Sequence, residues 1–141
     1  MKNTFKQALS LILALVFLFT LVACNTVDKE GLWEKATYRK DMEFGKGAKT
    51  AVVEVVAGDN SVTFTIHTDK TTVGDALLEH KLIAGEEGEY GLYVKVVNGI
   101  TADYNVDQSY WLFYINGEYA MSGVDTTEIA ANTTYRLVYT K

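Results

Sequence analysis

Gln108–Met121 reads QSYWLFYINGEYAM, and the rest of the chain is organised around it. Side chains alternate across a strand. Tyr110, Leu112 and Tyr114 therefore project to one side, and Trp111, Phe113 and Ile115 to the other. Asn116-Gly117 follows directly, and Asn-Gly between strand-like residues signals a two-residue hairpin turn. One hairpin thus carries an apolar face suited to a core and a tyrosine-rich face. The second face is either partly buried beneath neighbouring segments or a surface that binds something.

Working outward, Tyr90–Val97 is a further strand, with Leu92, Val94 and Val96 inward and Tyr93, Lys95 and Val97 outward. Asn98-Gly99 is a second hairpin signal. Ala51–Ala57 is rich in β-branched residues and Ser61–Thr68 alternates cleanly, with Val62, Phe64 and Ile66 inward. Gly58-Asp59-Asn60 supplies the turn between them. Thr72–Leu82 is the one good helix, capped by Thr72 with Asp75 at the third position. Val73, Ala76, Leu77, Leu78 and Leu82 give its apolar stripe, and Gly85 lies where the helix should stop. Glu86, Glu87 and Glu89 read as an acidic loop. Ser122–Thr134 reads as a long loop and Tyr135–Thr140 as the closing strand. Two strands, a helix and several short strands predict an α+β fold, a mostly antiparallel sheet on one helix.

Composition bounds the rest. The chain has 141 residues, 48% hydrophobic and 12% aromatic, enough for one packed domain. It contains no proline and a single cysteine, which excludes an intramolecular disulfide. Met1–Ala23 has Lys2 and Lys6 before an apolar run, then Leu21-Val22-Ala23-Cys24. This is the pattern of a bacterial lipoprotein signal, too short for a bilayer span of roughly 20 residues. Cys24 is the expected site of lipidation, on the extracytoplasmic face of the cell membrane. Two acyl chains give stable anchoring where one is marginal. Without those 23 residues, 11 basic groups remain against 18 acidic, a net of −7. That sign repels phosphate backbones, so nucleic acid is not an expected partner.

The expected organisation is a signal peptide over 1–23, a tether and packing segment over 24–48, and a domain over 49–141. Asn25–Gly31 is the flexible part of the second. Trp33 and Tyr38 are expected to pack on the domain, and Gly45 and Gly47 to break the segment before the first strand.

Candidate chemistry is sparse. Asp103-Tyr104-Asn105-Val106-Asp107 puts oxygen side chains at positions one, three and five of a calcium-like loop. Gln108 stands where glycine is needed and Tyr114 where glutamate is needed, so a polar turn is the preferred reading. His67 faces out of a strand, and His80 reads as an exposed helix residue. Neither has a second ligand at zinc spacing, so no metal is expected. No nucleophile elbow or phosphate loop appears, so neither enzymatic activity nor a cofactor is expected. Asp125 reads as a loop residue bonded to nearby backbone amides. The binding residues expected are Tyr93, Tyr110, Leu112, Tyr114, Asn116 and Tyr119. Tyrosine offers large contact area with a hydroxyl for orientation.

Thr72-Val73-Gly74-Asp75-Ala76-Leu77-Leu78, Tyr90-Gly91-Leu92-Tyr93-Val94, Val97-Asn98-Gly99, Tyr110–Ala120 and Gly123-Val124-Asp125 also carry a family resemblance. Over roughly Leu32 to Lys141 the chain resembles short Gram-positive lipoproteins with a domain of unknown function. That domain is similar to the C-terminal domain of transcobalamin and intrinsic factor. The resemblance implies a β-grasp-like fold of the soluble-ligand-binding type. It also implies cobalamin, or another corrinoid, as a ligand, which a membrane-anchored domain could pass to a transporter or other surface protein. The animal carriers hold their ligand between this domain and a large α-helical one, so only half of such a site is expected in these 141 residues. The alternative expectation is a structural or adhesive surface module that binds protein or glycan.

Overall fold

The structure is a computed structural model and describes residues 31–141. The expected signal segment Met1–Ala23, the lipidation site Cys24 and the tether up to Glu30 lie outside the described residues. Leu32–Lys141 forms one compact unit.

From Met42 to the end of the described residues, nine strands and two helices follow one another as β1 (Met42–Gly45), β2 (Lys49–Ala57), β3 (Asn60–Thr68), α1 (Val73–Glu79), β4 (Ile83–Gly88), β5 (Gly91–Val97), β6 (Ile100–Thr101), α2 (Tyr104–Asp107), β7 (Tyr110–Ile115), β8 (Glu118–Tyr119) and β9 (Thr134–Thr140). Six of the strands form one sheet in the order β1-β3-β2-β9-β7-β8, and β4-β5-β6 form a second. In the first sheet β2 and β9 lie side by side and parallel, with Val53 beside Tyr135. Antiparallel β3 and β7 flank them. A hairpin, a crossing helix and a second strand pair around two parallel central strands make this an α+β fold of β-grasp type.

The pleat decides what is inside. Ala51, Val53, Val55, Phe64 and Ile66 are completely buried and face Val73, Ala76 and Leu77 of α1. Phe113, Tyr135 and Leu137 continue that layer, with Trp111 and Ile115 packed at its margin. The apolar face expected of the β7 hairpin is thus the core face. Both Asn-Gly pairs turn as anticipated, with φ of 51° and 79° at Asn98-Gly99 and 50° and 81° at Asn116-Gly117. These values are those of the hairpin turn whose twist matches the strands.

The helix starts where expected, with the Asp75 N–H donating to Thr72 Oγ1 at 3.1 Å. It ends earlier. Lys81 takes a left-handed φ of 56°, so the chain turns there and Gly85 belongs to β4 instead. A Cβ on Gly85 would stand 2.0 Å from the Tyr93 carbonyl oxygen, at the point where the β4–β5 register shifts. That glycine serves close strand approach rather than helix termination. Glu86 and Glu87 accordingly lie in a strand, not a loop. Leu78 is 42% exposed and outside the stripe expected of it. Val97, expected outward, is completely buried because it pairs with Ile83 beneath the turn after the helix.

The segment before β2 is structured further than its glycines suggest. Trp33 and Tyr38 pack on the core, and Met42–Gly45 joins the sheet as an edge strand parallel to β3. Phe44 holds it there, edge-on to Tyr38 and Phe64 at ring distances of 5.3 and 5.7 Å.

Candidate functional site

Because one face of the six-stranded sheet packs on α1, its alternate residues form the opposite face. On β7 these are Tyr110, Leu112 and Tyr114, all partly exposed. Cross-strand pairing carries the row onto β9 as Thr140, Val138 and Arg136. From there it runs onto β2 as Val56 and Glu54, and onto β3 as Ser61 and Thr63. Tyr119 stands opposite Tyr114, edge-on at 6.1 Å, and Tyr104 lies 6.3 Å from Tyr110.

The face is therefore apolar and phenolic at the β7–β8 edge and polar towards β1. Arg136 Nε donates to Glu54 Oε2 at 2.7 Å in its middle. At the far side His67 Nε2 lies 2.6 Å from Glu43 and its Nδ1 3.1 Å from Thr50 Oγ1. Three depressions mark this face. One of about 270 Å³ lies among Val52, Glu54, Thr63, Gly117 and Arg136, next to Tyr114. It shares Val52 and Thr134 with a second of about 510 Å³ that runs along Thr50 to the 129–134 loop. It shares Thr63 with a third of about 240 Å³ beside Asp41 and Glu43. Together they make a shallow trough, with Tyr114 beside it across from the lining residue Arg136 and Tyr110 further along β7 towards Thr140.

Four of the six expected binding residues, Tyr110, Leu112, Tyr114 and Tyr119, share the β7–β8 side of this face, outside the lining of the depressions. Asn116 adjoins the lining residues Gly117 and Thr134, with its amide engaged. Its Oδ1 accepts from the Thr134 N–H at 3.0 Å, and its own N–H donates to the Thr134 carbonyl at 2.8 Å. Tyr93 belongs to β5 of the other sheet and is 44% exposed, without a ring partner among the described residues. Sequence alternation identified the β7 tyrosines. The trough floor on β2, β3 and β9 was not identified, because only the strand order brings Glu54, Thr63 and Arg136 together.

The calcium-like stretch is a capped turn of helix. Asp103 Oδ1 accepts from the Asn105 N–H at 3.0 Å, and Asp107 Oδ1 accepts from the Ser109 N–H at 3.1 Å and from its hydroxyl. The Ser109 hydroxyl, with Lys141 adding to it, holds the Asp107 carboxyl below the usual carboxylate range. The Glu86 carboxylate and then Asp103 raise the Lys95 ammonium above its ordinary value. Asp125 Oδ2 accepts from the Leu92 N–H at 3.1 Å, a backbone amide 33 residues away rather than a local one.

His80 is not the exposed helix residue expected. It caps α1, and its ring stacks on Phe44 at 5.4 Å and 30°. Its buried Nε2 has no hydrogen-bond partner among the described residues and lies 3.7 Å from Glu79 Oε2. No three His, Cys, Asp or Glu side chains among the described residues converge as a metal-binding group.

Among solved structures, the chain is similar to a presumptive metal binding protein from Ruminococcus gnavus ATCC 29149. The identity is 30% and the TM-score 0.62, covering 67% of this chain and 98% of that one. It is also similar to haptocorrin, crystallised in complex with Cbi, at 16% identity and a TM-score of 0.57. That match covers 70% of this chain and 26% of haptocorrin, and it shows a shared fold. None of the curated proteins matches. The family model described as a domain of unknown function (DUF4430) matches residues 70–141, from just before α1 to the end of β9, and the chain belongs to that family.

Proposed function

We propose that the protein is a membrane-anchored, extracytoplasmic, non-enzymatic binding domain. It takes a small organic ligand on the open face of its six-stranded sheet. The observation that supports this most is the open face itself. The inner face is sealed by α1, whereas Tyr110, Leu112 and Tyr114 stay partly exposed on the other face, Tyr114 beside a hollow. Half-exposed phenols next to a depression suit a planar, partly apolar ligand. The absence of a three-residue metal-binding group among the described residues makes an organic ligand the preferred reading over a bare ion. A corrinoid is the first ligand to test, given the similarity in fold to haptocorrin. Cys24 is the proposed anchor. No second reading is favoured by a specific observation.

The test is titration of the purified chain with hydroxocobalamin, followed by its visible bands and by thermal shift. The reading expects a band shift that disappears in Tyr110→Ala/Tyr114→Ala. That variant should melt within a few degrees of the parent, because surface substitutions usually change stability by about 0.5 kcal/mol or less. An unchanged spectrum at saturating corrinoid rejects that ligand. A collapse of the double variant shows that the tyrosines serve packing and rejects the site.

A further inference from the structure

We infer that the sheet edge built by α2, β7 and β8 rests in the interfacial layer of a lipid membrane. This inference rests on the anchored reading given above and adds an orientation to it. Four large apolar side chains on this edge are exposed: Met121 at 95%, Val106 at 80%, Tyr119 at 63% and Tyr104 at 55%. They join into one strip. The ring of Tyr104 lies 6.3 Å from Tyr110, and that of Tyr119 6.1 Å from Tyr114. The Ala120 N–H donates to the Phe113 carbonyl, so Met121, one residue on, falls beside Leu112.

Glu118 on β8 is exposed, and the other charges near this strip are paired within the protein. Asp107 lies 3.7 Å from Lys141, Asp103 3.7 Å from Lys95, and Arg136 2.7 Å from Glu54. An apolar strip with few unbalanced charges, on an anchored chain of net −7, fits a surface that wants buried apolar area and phenol hydroxyls at its boundary. Tyrosine and tryptophan are enriched at the membrane–water interface for that reason.

The place where the chain meets the domain selects lipid over other occupants. Leu32 and Trp33 pack with Ala57, Ile100, Trp111 and Tyr139. Trp111 is the second residue of β7 and faces the core side, so the chain arrives at the start of β7, behind the face that carries Tyr110 and Leu112. From Asn25 to Gly31 there are seven residues, which span at most about 25 Å when fully extended. The tether therefore keeps the point where the chain enters the domain within about 25 Å of the bilayer. A short tether also holds the strip at an effective concentration in the millimolar range. A strip too weak to bind lipid from solution is then engaged continuously.

The experiment uses the full chain carrying its acyl groups, with cysteine introduced as Val106→Cys, Met121→Cys or, as a control, Lys46→Cys. Each is labelled with an environment-sensitive fluorophore. With Cys24 acylated, no other thiol competes. The proteins are reconstituted in vesicles of equal parts phosphatidylcholine and phosphatidylglycerol and tested by flotation. The expected result is flotation, with emission at 106 and 121 shifted to the blue and quenched by shallow spin-labelled lipid. Emission at 46 should be unchanged. Flotation without a shift at 106 or 121 overturns the docked edge and leaves the anchor standing. A shift that persists in detergent micelles at low protein but is lost on dilution of the protein assigns the strip to a second copy, and also overturns it. Failure to float overturns the anchor and the orientation together. Val106→Asp in the protein labelled at 121, and Met121→Asp in the protein labelled at 106, each at an exposed position, should keep the parent's melting temperature and lose the shift.

Discussion

Asn98 ties together parts of the chain 60 residues apart. Its Oδ1 accepts from the Tyr38 N–H and its Nδ2 donates to the Tyr38 carbonyl, both at 2.8 Å, in a residue only 1% exposed. Its backbone takes the left-handed conformation of the turn, so Asn98→Gly keeps the turn and removes only the clamp. The two part-buried backbone groups of Tyr38 would lose their partners, at a cost of about 1–3 kcal/mol. Chemical denaturation should show that loss as a lower midpoint, and an unchanged midpoint would mean that water replaces the amide. The turn role of Asn98 is legible from the dipeptide that it starts. The clamp is not, because nothing near Asn98 in sequence points to Tyr38. His80 was misjudged for the same reason. Helical periodicity puts it on an exposed flank, but the ring stacked on it belongs to β1, a four-residue strand that ends at Gly45. The β7 tyrosines were legible because a pleat of period two needs no distant information.

At the scale of elements, α2 shows how a local cap answers to pH. The Asp107 carboxylate accepts both bonds from Ser109, and its folded-state pKa is lowered from 3.8. A lowered pKa stabilises the fold at pH above the unfolded value, and that contribution is lost as pH falls through the folded one. The window therefore lies below about pH 4. Amide exchange at Ser109 should quicken as pH is lowered through that range, relative to neighbouring amides corrected for intrinsic rates. In Asp107→Asn that extra acid sensitivity should be absent. Its persistence there would show that the effect does not come from Asp107. Strand β1 makes a separate case. Its sequence, MEFG, carries no alternation long enough to announce a strand, and its place comes from Phe44 lodging between Tyr38 and Phe64. Phe→Ala in a core costs roughly 3–5 kcal/mol, and Phe44 is partly exposed, so Phe44→Ala should cost about 2–3 kcal/mol. Amide protection in β3 along its β1 edge should fall with it. Retained protection there would show that backbone pairing alone suffices.

For the molecule as a whole, sealing one side of the large sheet leaves the other side free to change. The inner side is committed to α1 and the core, so its residues answer to stability. The outer side answers to whatever it meets. Leu112 and Phe113 are neighbours in sequence and sit on opposite sides of that division. Phe113 is 9% exposed and lies 6.1 Å from the Tyr135 ring, whereas Leu112 is partly exposed between Tyr110 and Tyr114. Glutamate at 113 would place a carboxylate in the core without a partner, and Phe113→Glu should fail to give a cooperative melt. Glutamate at 112 would meet solvent, and Leu112→Glu should melt within about 0.5 kcal/mol of the parent. The same substitution puts a charge in the middle of the apolar strip, so it should also abolish ligand uptake on the open face and the lipid contact of the edge. Thermal melts of the two variants, run beside hydroxocobalamin titration and vesicle fluorescence on Leu112→Glu, separate these effects. A Leu112→Glu protein that melts normally and still does both would place recognition elsewhere on the surface, with the three-stranded sheet and the exposed Tyr93 the next place to look.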